Sequence, residues 1–289
     1  MTLKRRDWLA GAAALAGLSS VAALARSPRM PVLFLGHGSP MNAIGDNEYR
    51  RSWQALGAEF GTTWPRPQLI LCISAHWITR GWYLTGMARP KTIHDFGGFP
   101  QELFDQQYPA PGAPAKAREI AAGIAQPQLQ LDESEWGYDH GTWSVLKPMF
   151  PQADIPVLQL SLDYDRPPQE HFALGRQLQA LRDRGVLVVG SGNIVHNLRA
   201  TRRDANAMQA YPWAFEFDAK AKALLEQGRL AELAEFQKLG PVAQLAHPTH
   251  DHYLPLLHAA GAAYPGEKVR FLNERYQSAS IAMRSVVWG

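Results

Sequence analysis

Cysteine and charge are both scarce in this chain. Its 289 residues include a single cysteine, Cys72, which excludes a disulfide framework and any zinc or redox site built on paired cysteines. Charged residues make up 19% of the chain and the formal net charge is +3, so nucleic acid is not expected as a partner. Hydrophobic residues reach 46% and no short period repeats, which excludes a disordered chain and a coiled coil. The composition is that of a globular protein with a substantial core.

One long apolar run lies at the N-terminus. Three basic residues at positions 4–6 precede a run rich in Ala, Gly and Leu over residues 10–25. This order predicts a secretory signal peptide over residues 1–25, and the paired arginines resemble the twin-arginine type. We therefore expect export to the periplasm, or a cytoplasmic location if the signal is not functional. The run falls short of the ~20 residues that a transmembrane helix needs, so we expect no stable membrane insertion of residues 26–289.

Short apolar runs alternate with amphipathic segments through residues 26–289. Strands are predicted at 31–35, 68–74, 82–85, 155–161 and 186–189, helices at 46–60, 172–181, 214–238 and 253–261, and an extended C-terminal segment at 279–288. This alternation predicts a single α/β domain, a three-layer sandwich with a mainly parallel central sheet. Two stretches, 87–112 and 132–150, are predicted to be irregular, and loops of that length in a compact domain are usually functional.

Ten histidines are the unusual part of the composition. His37 follows the first predicted strand, His76 follows the second, and His196 comes shortly after the last. In open α/β sheets, ligands bind beyond the carboxyl ends of the strands, so we expect the three imidazoles at one edge of the sheet. Imidazole is a favoured ligand of zinc and iron. The sequence therefore predicts a metal site at this edge, with His37 and His76 as ligands.

A further group of imidazoles precedes the predicted helix at 253–261. The segment from His247 to His252 holds three imidazoles in six residues. Its spacing alone does not choose among His247, His250 and His252 as a metal ligand. Asp251 is either a ligand itself, a cap of the following helix, or a carboxylate that holds an imidazole through its second nitrogen.

Six segments of the chain form an ordered set. They are Gly36-His37-Gly38-Ser39-Pro40, Ser74-Ala75-His76-Trp77, residues 92–100, Asp139-His140-Gly141-Thr142-Trp143, residues 190–197, and residues 247–256. Together they resemble the LigB-type class III extradiol ring-cleavage dioxygenases, specifically the DOPA-4,5-dioxygenase-like branch, over essentially the whole of residues 26–289. The resemblance implies an oxidoreductase of aromatic compound metabolism. Such an enzyme inserts both atoms of dioxygen into a DOPA-like or other small catechol and opens the ring.

The resemblance also implies a metal centre. Its ligands would be His37, His76 and His252, although from the pattern alone His250 or Asp251 would serve as well as His252. His196 would be the acid–base residue beside the ion, and in zinc-loaded relatives it counts as a fourth ligand. The implied cofactor is one divalent ion per chain, Fe(II) for dioxygenase activity, with Zn(II) as the alternative bound ion. Three protein ligands keep positions open for a chelating catechol and for dioxygen.

The remaining implied residues belong to the substrate pocket. His140 would be a catalytic proton donor there, and His94 would line the same cavity. Trp77, Phe96 and Trp143 are candidates for stacking on the catechol ring, although core packing is the commoner role of such aromatic side chains.

Two alternative functions remain open at the level of sequence. A zinc hydrolase would use the same metal site to make hydroxide from water. An exported metal- or ligand-binding protein without catalysis would use the same scaffold, because a fold does not guarantee an activity. The presence of His196 and His140 argues against the second alternative, since holding a metal does not require them. The sequence indicates neither the particular catechol nor the oligomeric state.

Overall fold

The computed structural model describes residues 28–289. The predicted signal peptide, residues 1–25, lies outside the described residues. The strands are β1 (Val32–Gly36), β2 (Leu69–Thr79), β3 (Trp82–Thr85), β4 (Lys91–Thr92), β5 (Leu129–Asp132), β6 (Gly137–Tyr138), β7 (Val157–Asp163), β8 (Val186–Gly192), β9 (Val269–Leu272), β10 (Tyr276–Gln277), β11 (Ile281–Ala282) and β12 (Ser285–Trp288). The helices are α1 (Glu48–Ala58), α2 (Gln101–Phe104), α3 (Pro114–Gly123), α4 (His140–Met149), α5 (Pro168–Arg182), α6 (Pro212–Glu226), α7 (Val242–Ala246) and α8 (Leu254–Ala262), with 3-10 turns at Pro40–Ala43, Leu198–Ala200 and Leu230–Leu239. Within this part of the chain, no helix has the length and apolar character needed to cross a bilayer.

Eight strands form the central sheet, in the order β5-β3-β7-β2-β8-β1-β12-β9. The inner strands β7, β2, β8 and β1 are parallel to one another. Three of them, β1, β7 and β8, are buried along their whole length, which explains their unbroken apolar runs in the sequence. At the flanks, β3 is antiparallel to β7, and β12 is antiparallel to β1. The predicted mainly parallel sheet is confirmed, with antiparallel strands added on both sides.

Helices cover both faces of this sheet. On one face α3, α5, α6 and α8 pack in a core that contains Leu71 of β2, Val188 of β8 and Leu178 of α5. On the other face α1 and α4 pack in a core that contains Ile70 of β2 and Trp53 of α1. Adjacent residues of a strand point to opposite sides of the sheet, so β2 supplies both cores. The predicted three-layer, single-domain sandwich is confirmed.

The stretch 132–150, predicted to be irregular, contains helix α4. Asp139 caps this helix, because its Oδ1 accepts a hydrogen bond from the backbone N–H of Thr142 at 3.1 Å. Nearly every residue of α4 is buried, and only Lys147 is partly exposed. Gly141 and Pro148 lie within this helix, and glycine and proline are the residues that usually interrupt a helical prediction. The prediction was therefore wrong for residues 140–149, and α3 and β5 likewise have no counterpart in the prediction.

The carboxyl ends of β1, β8 and β2 lie side by side at one edge of the sheet. Strand β2 runs past this edge: its pairing with β8 ends at Ser74, and its register with β7 shifts between Ile73 and Ile78. His76 lies inside this irregular part of β2 rather than after the end of a strand. A bulge of this kind redirects side chains, and here it brings His76 beside His37, which follows β1.

Candidate active site

Five imidazoles gather at this edge of the sheet. They belong to His37 after β1, His76 in β2, His140 at the start of α4, His196 after β8 and His252 just before α8. The Nε2 atoms of His37 and His76 are 3.2 Å apart. His37, His76 and His140 each place a ring nitrogen within 4.8 Å of those of the other two. Histidines that are far apart in the chain therefore converge, as the strand-end positions predict.

The five rings are not equivalent in their spacing. The ring centres of His37, His76 and His252 form a nearly equilateral triangle with sides of 5.1, 5.2 and 4.9 Å. His140 lies closer to His76, at 3.9 Å between ring centres, and 5.6 Å from His37. His196 lies against His252, with ring centres 3.4 Å apart. Three rings are evenly spaced, and each of the other two packs on one member of the triangle.

A chain of hydrogen bonds sets the tautomer of His37. Its Nδ1 lies 3.0 Å from Oγ of Ser191, a fully buried residue of β8. The Ser191 hydroxyl donates its only hydrogen to the carbonyl oxygen of Gly141 at 2.5 Å, so toward His37 it can only accept. Nδ1 of His37 therefore carries the proton. Nε2 keeps its lone pair and faces Nε2 of His76.

Carboxylates contact the Nδ1 atoms of the other two rings of the triangle. Nδ1 of His252 lies 3.0 Å from Oδ2 of Asp251, and Nδ1 of His76 lies 3.3 Å from Oδ2 of Asp95. A carboxylate favours the imidazole tautomer that carries its proton on the nitrogen facing the carboxylate. The Nε2 atom then has a lone pair that can bind a metal, as is common for metal-ligating histidines. Of the three roles open to Asp251, the structure shows the contact with an imidazole.

The other two imidazoles of the 247–252 segment lie away from the cluster. His247 is buried, with its Nε2 2.6 Å from the carbonyl oxygen of Ile194. His250 stacks on Tyr164, with ring centres 4.4 Å apart. Of this segment, His252 is the residue that lines the cavity described next.

The imidazole cluster opens into a cavity of about 940 Å³. This volume is typical of small-molecule sites, which generally measure about 300–1,000 Å³. Besides the five histidines and Asp95, the walls come from residues within 38–49, 96–99, 198–207 and 276–281. The 96–99 segment contributes two phenylalanine side chains, so the cavity combines an aromatic wall with an imidazole cluster.

The charged residues of the cavity wall differ in their pairing. Glu48 is neutralised by Arg275, whose Nε lies 2.8 Å from its Oε2. Asp95 faces two imidazoles. Arg203 also lines the cavity, and among residues 28–289 it has no ion-pair partner. An anionic group that enters the cavity would therefore find an uncompensated guanidinium at Arg203.

Two residues predicted for the substrate pocket, His94 and Trp143, lie outside the cavity. Nε2 of His94 is 2.9 Å from the carbonyl oxygen of Gln106. Trp143 is fully buried in α4, where its indole N–H donates to the carbonyl oxygen of Ile93 at 2.9 Å. Both side chains support the loop that forms the aromatic wall instead of lining it.

Trp77 also lies outside this cavity, whereas Phe96 lines it. Trp77 stacks on Trp136 instead, with planes 3° from parallel. Phe96 meets His140 edge to face, with ring centres 5.6 Å apart. Of the three predicted aromatic residues, Phe96 is the one in a position to contact a bound molecule.

Asp95 and Ser191 contact the cluster but were missed by sequence reasoning. Asp95 lies between two rings: besides its contact with His76, its Oδ1 is 3.0 Å from Nδ1 of His140 and accepts the backbone N–H of His140 at 2.8 Å. Ser191 holds His37, as described above. Both residues belong to the ordered segments around the candidate histidines. A short polar side chain in such a segment is the signal that would have found them.

Burial keeps three imidazoles of the cluster neutral, those of His37, His76 and His196. Loss of hydration lowers the pKa of His37, His76 and His196 well below the usual 6.5, and repulsion from the neighbouring imidazoles lowers each of them further. Neutral imidazole is the form that binds a metal or accepts a proton. These rings are therefore ready to bind a metal at neutral pH without first releasing protons.

The sequence is similar to a known protein family and to several of its members. The family of the catalytic LigB subunit of aromatic ring-opening dioxygenase matches residues 31–288. A 4,5-DOPA dioxygenase extradiol of Escherichia coli (strain K12) is 48% identical over 269 residues, covering 91% of this chain and 96% of the relative. A 4,5-DOPA dioxygenase extradiol of Beta vulgaris is 35% identical over 250 residues, covering 84% of this chain and 90% of the relative.

A solved structure agrees with these relatives. The crystal structure of an uncharacterized protein from Escherichia coli K12 matches with a TM-score of 0.77 at 42% identity, covering 90% of this chain and 100% of that chain. Neither the hydrolase nor the non-catalytic alternative is favoured by any of these similarities. The chain therefore belongs to the LigB family of aromatic ring-opening dioxygenases, in its extradiol, DOPA-dioxygenase-like branch.

Proposed function

We propose that the protein opens the ring of a small catechol beside its two hydroxyl groups, with dioxygen as co-substrate and one divalent metal ion held by His37, His76 and His252. The observation that carries this proposal is the even spacing of these three rings. Each ring comes from a different segment, and each has its Nδ1 against an oxygen atom. Three imidazoles spaced in this way fit an ion that keeps further positions open.

Bond lengths favour this set of ligands over one that includes His140. A metal–nitrogen bond of about 2.1 Å puts the centre of a bound imidazole roughly 3.2 Å from the ion, so two ligands about 90–110° apart have ring centres about 4.5–5.2 Å apart. The sides of the His37–His76–His252 triangle, 5.1, 5.2 and 4.9 Å, lie within that range. The 3.9 Å between His76 and His140 is too short.

His196 is the proposed base of the reaction. At 3.4 Å from the ring centre of His252, it is too close to share the ion as a fourth ligand by the same geometry. Burial and the neighbouring His252 lower the pKa of His196, so the ring is neutral near neutral pH. A neutral imidazole on the cavity wall can take a proton from a catechol hydroxyl and return it later in the reaction.

His140 is the proposed proton donor. It lines the cavity at the start of α4, where its backbone N–H is bound by Asp95. The Asp95 carboxylate also lies 3.0 Å from Nδ1 of His140, and this contact fixes the orientation of the ring on the cavity wall. Phe96, edge-on to His140, is placed to pack against a catechol ring.

Iron(II) is the proposed ion. When bound, it would acidify a chelated catechol and let electron density pass from the catechol to dioxygen. Zinc fits the same nitrogen donors but has no redox chemistry. We therefore expect the zinc-loaded protein to bind catechol without opening the ring.

The cavity favours a catechol that carries an anionic substituent. A volume of about 940 Å³ leaves room for a side chain on the ring. Arg203 stands on the wall without an ion-pair partner among the described residues, and a guanidinium binds a carboxylate through two parallel hydrogen bonds. A carboxylated catechol with its diol at the imidazole cluster is the proposed substrate class.

The proposed location is the periplasm. This part of the proposal rests on the sequence of residues 1–25, where paired arginines precede the apolar run. Replacement of both arginines, Arg5→Lys with Arg6→Lys, should then retain the protein in the cytoplasm, as measured by cell fractionation. Equal periplasmic amounts of the wild type and the double variant would contradict twin-arginine export.

The proposed activity is tested by loading the protein with Fe(II) under anaerobic conditions and then adding a catechol and oxygen-18. We expect equimolar consumption of catechol and dioxygen, a coloured ring-opened product, and both labelled atoms in that product. The zinc-loaded protein serves as the control. No oxygen uptake with neutral or carboxylated catechols, in protein that holds one iron per chain, would contradict the proposal. Ester hydrolysis by the zinc form would favour the hydrolase alternative instead.

A further inference from the structure

The end of β8, Gly190-Ser191-Gly192, lies in the middle of the sheet next to the metal site. It is fully buried. Ser191 pairs with Leu35 of β1 on one side and with Ser74 of β2 on the other. The segment therefore lies between β1, which leads into His37, and β2, which contains His76. Its two faces contact different helical layers of the protein.

On one face, the side chain of Ser191 holds His37. Its hydroxyl accepts from Nδ1 of His37 at 3.0 Å and donates to the carbonyl oxygen of Gly141, in the first turn of α4, at 2.5 Å. Without this hydroxyl, the buried Nδ1–H of His37 would lose its acceptor. The proton would then be free to move to Nε2, and a protonated Nε2 cannot bind a metal.

On the other face, two glycines make room for the segment that carries His252. A Cβ atom on Gly192 would lie 2.1 Å from the carbonyl oxygen of His252, and one on Gly190 would lie 2.3 Å from that of Pro255. These oxygens belong to the backbone and cannot swing aside as a flexible side chain would. The backbone N–H of Asn193 donates to the His252 carbonyl at 2.9 Å, which fixes the same close approach.

We propose that Gly190-Ser191-Gly192 is the element that positions two ligands of the metal site from opposite faces of β8. Ser191 sets the tautomer and orientation of His37, and Gly192 sets the distance of His252 from the sheet. This inference rests on the ligand set proposed above. In this role Ser191 and Gly192 are positioning residues that act through the two histidines.

The test is binding of Co(II) to the metal-free protein, measured by competition with a chelating indicator in the absence of catechol and dioxygen. Ser191→Ala should weaken Co(II) binding by about 10–100-fold. In the metal-free protein it should also shift the nitrogen-15 signals of His37 away from the Nδ1–H tautomer. Gly192→Ala should weaken binding at least as much and change the visible spectrum of bound Co(II), because His252 is pushed away from the ion.

Two matched variants control for the loss of a buried hydroxyl and for the loss of a glycine. Ser144 is buried and its hydroxyl has no hydrogen-bond partner among the described residues, so Ser144→Ala should leave Co(II) affinity unchanged. A Cβ on Gly123 would meet no atom within 4 Å, so Gly123→Ala should behave likewise. Thermal unfolding of each metal-free variant separates a loss of binding from a loss of the fold.

The inference is overturned if Ser191→Ala binds Co(II) as tightly as the wild type and retains the His37 tautomer. If Gly192→Ala does not fold, the inference is tested by comparing Ser191→Ala with Ser191→Thr. Ser191→Thr keeps a hydroxyl and should bind Co(II) more tightly than Ser191→Ala. A wild type that binds Co(II) but opens no catechol ring would contradict the proposed function and leave this inference standing.

Discussion

The imidazole of His196 lies flat on that of His252, with ring centres 3.4 Å apart and planes 5° from parallel. Two rings in such contact cannot both carry a positive charge without strong repulsion, and burial together with His252 lowers the pKa of His196. Asp251 contacts this pair through Nδ1 of His252, at 3.0 Å. The contact therefore keeps a neutral proton acceptor directly beside a proposed metal ligand.

Replacement of His196 by glutamine separates the role of a base from that of a ligand. We expect His196→Gln to lower kcat of the iron-loaded protein by about 10²–10⁴-fold, because the proton acceptor is lost, while the protein still holds one metal ion per chain. Oxygen-uptake kinetics and metal analysis of the same preparation check this. A variant that loses its metal would identify His196 as a ligand, and one with full activity would refute its role as a base.

Asp95 faces two imidazoles, and an amide cannot replace it in both contacts. A carboxylate offers an oxygen to each of His76 and His140, whereas an asparagine would turn its NH₂ group toward one of them. We expect Asp95→Asn to lower kcat/KM by about 10–100-fold. Asp105→Asn, at an exposed carboxylate after α2, is the control and should have no effect. Equal effects of the two substitutions would show that Asp95 does not position the rings.

Arg203 provides a test of the substrate class. We expect Arg203→Gln to raise KM for a carboxylated catechol by about two- to fivefold, since an ion pair at an exposed guanidinium contributes about 0.2–1 kcal/mol, and to leave KM for 4-methylcatechol unchanged. The neighbouring Arg202 pairs with Asp204 at 3.2 Å and does not line the cavity, so Arg202→Gln is a matched control. Similar changes for both substrates would rule out recognition of the carboxylate by Arg203.

Buried histidines away from the site make stability depend on pH. Burial lowers the pKa of His171 to about 2 and that of His258 to about 4, so both stay neutral in the folded protein well below the usual 6.5. The unfolded chain binds these protons below about pH 6.5 and the folded chain does not, so stability falls as the pH falls from there toward 4.

The expected dependence of the free energy of unfolding on pH follows from the binding of one proton by each of these two histidines in the unfolded chain. Each of these histidines should lower the free energy of unfolding by about 1.4 kcal/mol for every pH unit below about 6.5. His171→Leu removes one group and should reduce the slope by that amount. Urea unfolding of the metal-free protein at several pH values measures both quantities. A slope unchanged by His171→Leu would mean that His171 is already protonated in the folded state.

Local patterns were sufficient to predict the sheet and the general place of the site. The inner strands are buried on both faces, so their unbroken apolar runs are visible in the sequence. Because parallel strands end at the same edge, residues after such runs meet in space, as His37 and His196 do. The choice among His247, His250 and His252 required the backbone path before α8, which no local pattern records.

Contacts between distant segments account for what the sequence did not indicate. Ser191 and His37 are separated by 154 positions, so the hydrogen bond between them has no local signature. The direction of a side chain from a loop is equally hidden: His94 is held by the carbonyl oxygen of Gln106, and its neighbour Asp95 faces the cavity. Helix α4 was missed because it contains Gly141 and Pro148, which usually mark the end or interruption of a helix.

The most direct measurement of the proposed metal site is anomalous X-ray diffraction at the iron edge from crystals of the protein loaded anaerobically with Fe(II). We expect one peak per chain, about 2.1–2.3 Å from the Nε2 atoms of His37, His76 and His252, with His196 and His140 outside bonding distance. A peak bound by His37, His76 and His140, or no iron at the cluster at all, would contradict the ligand assignment.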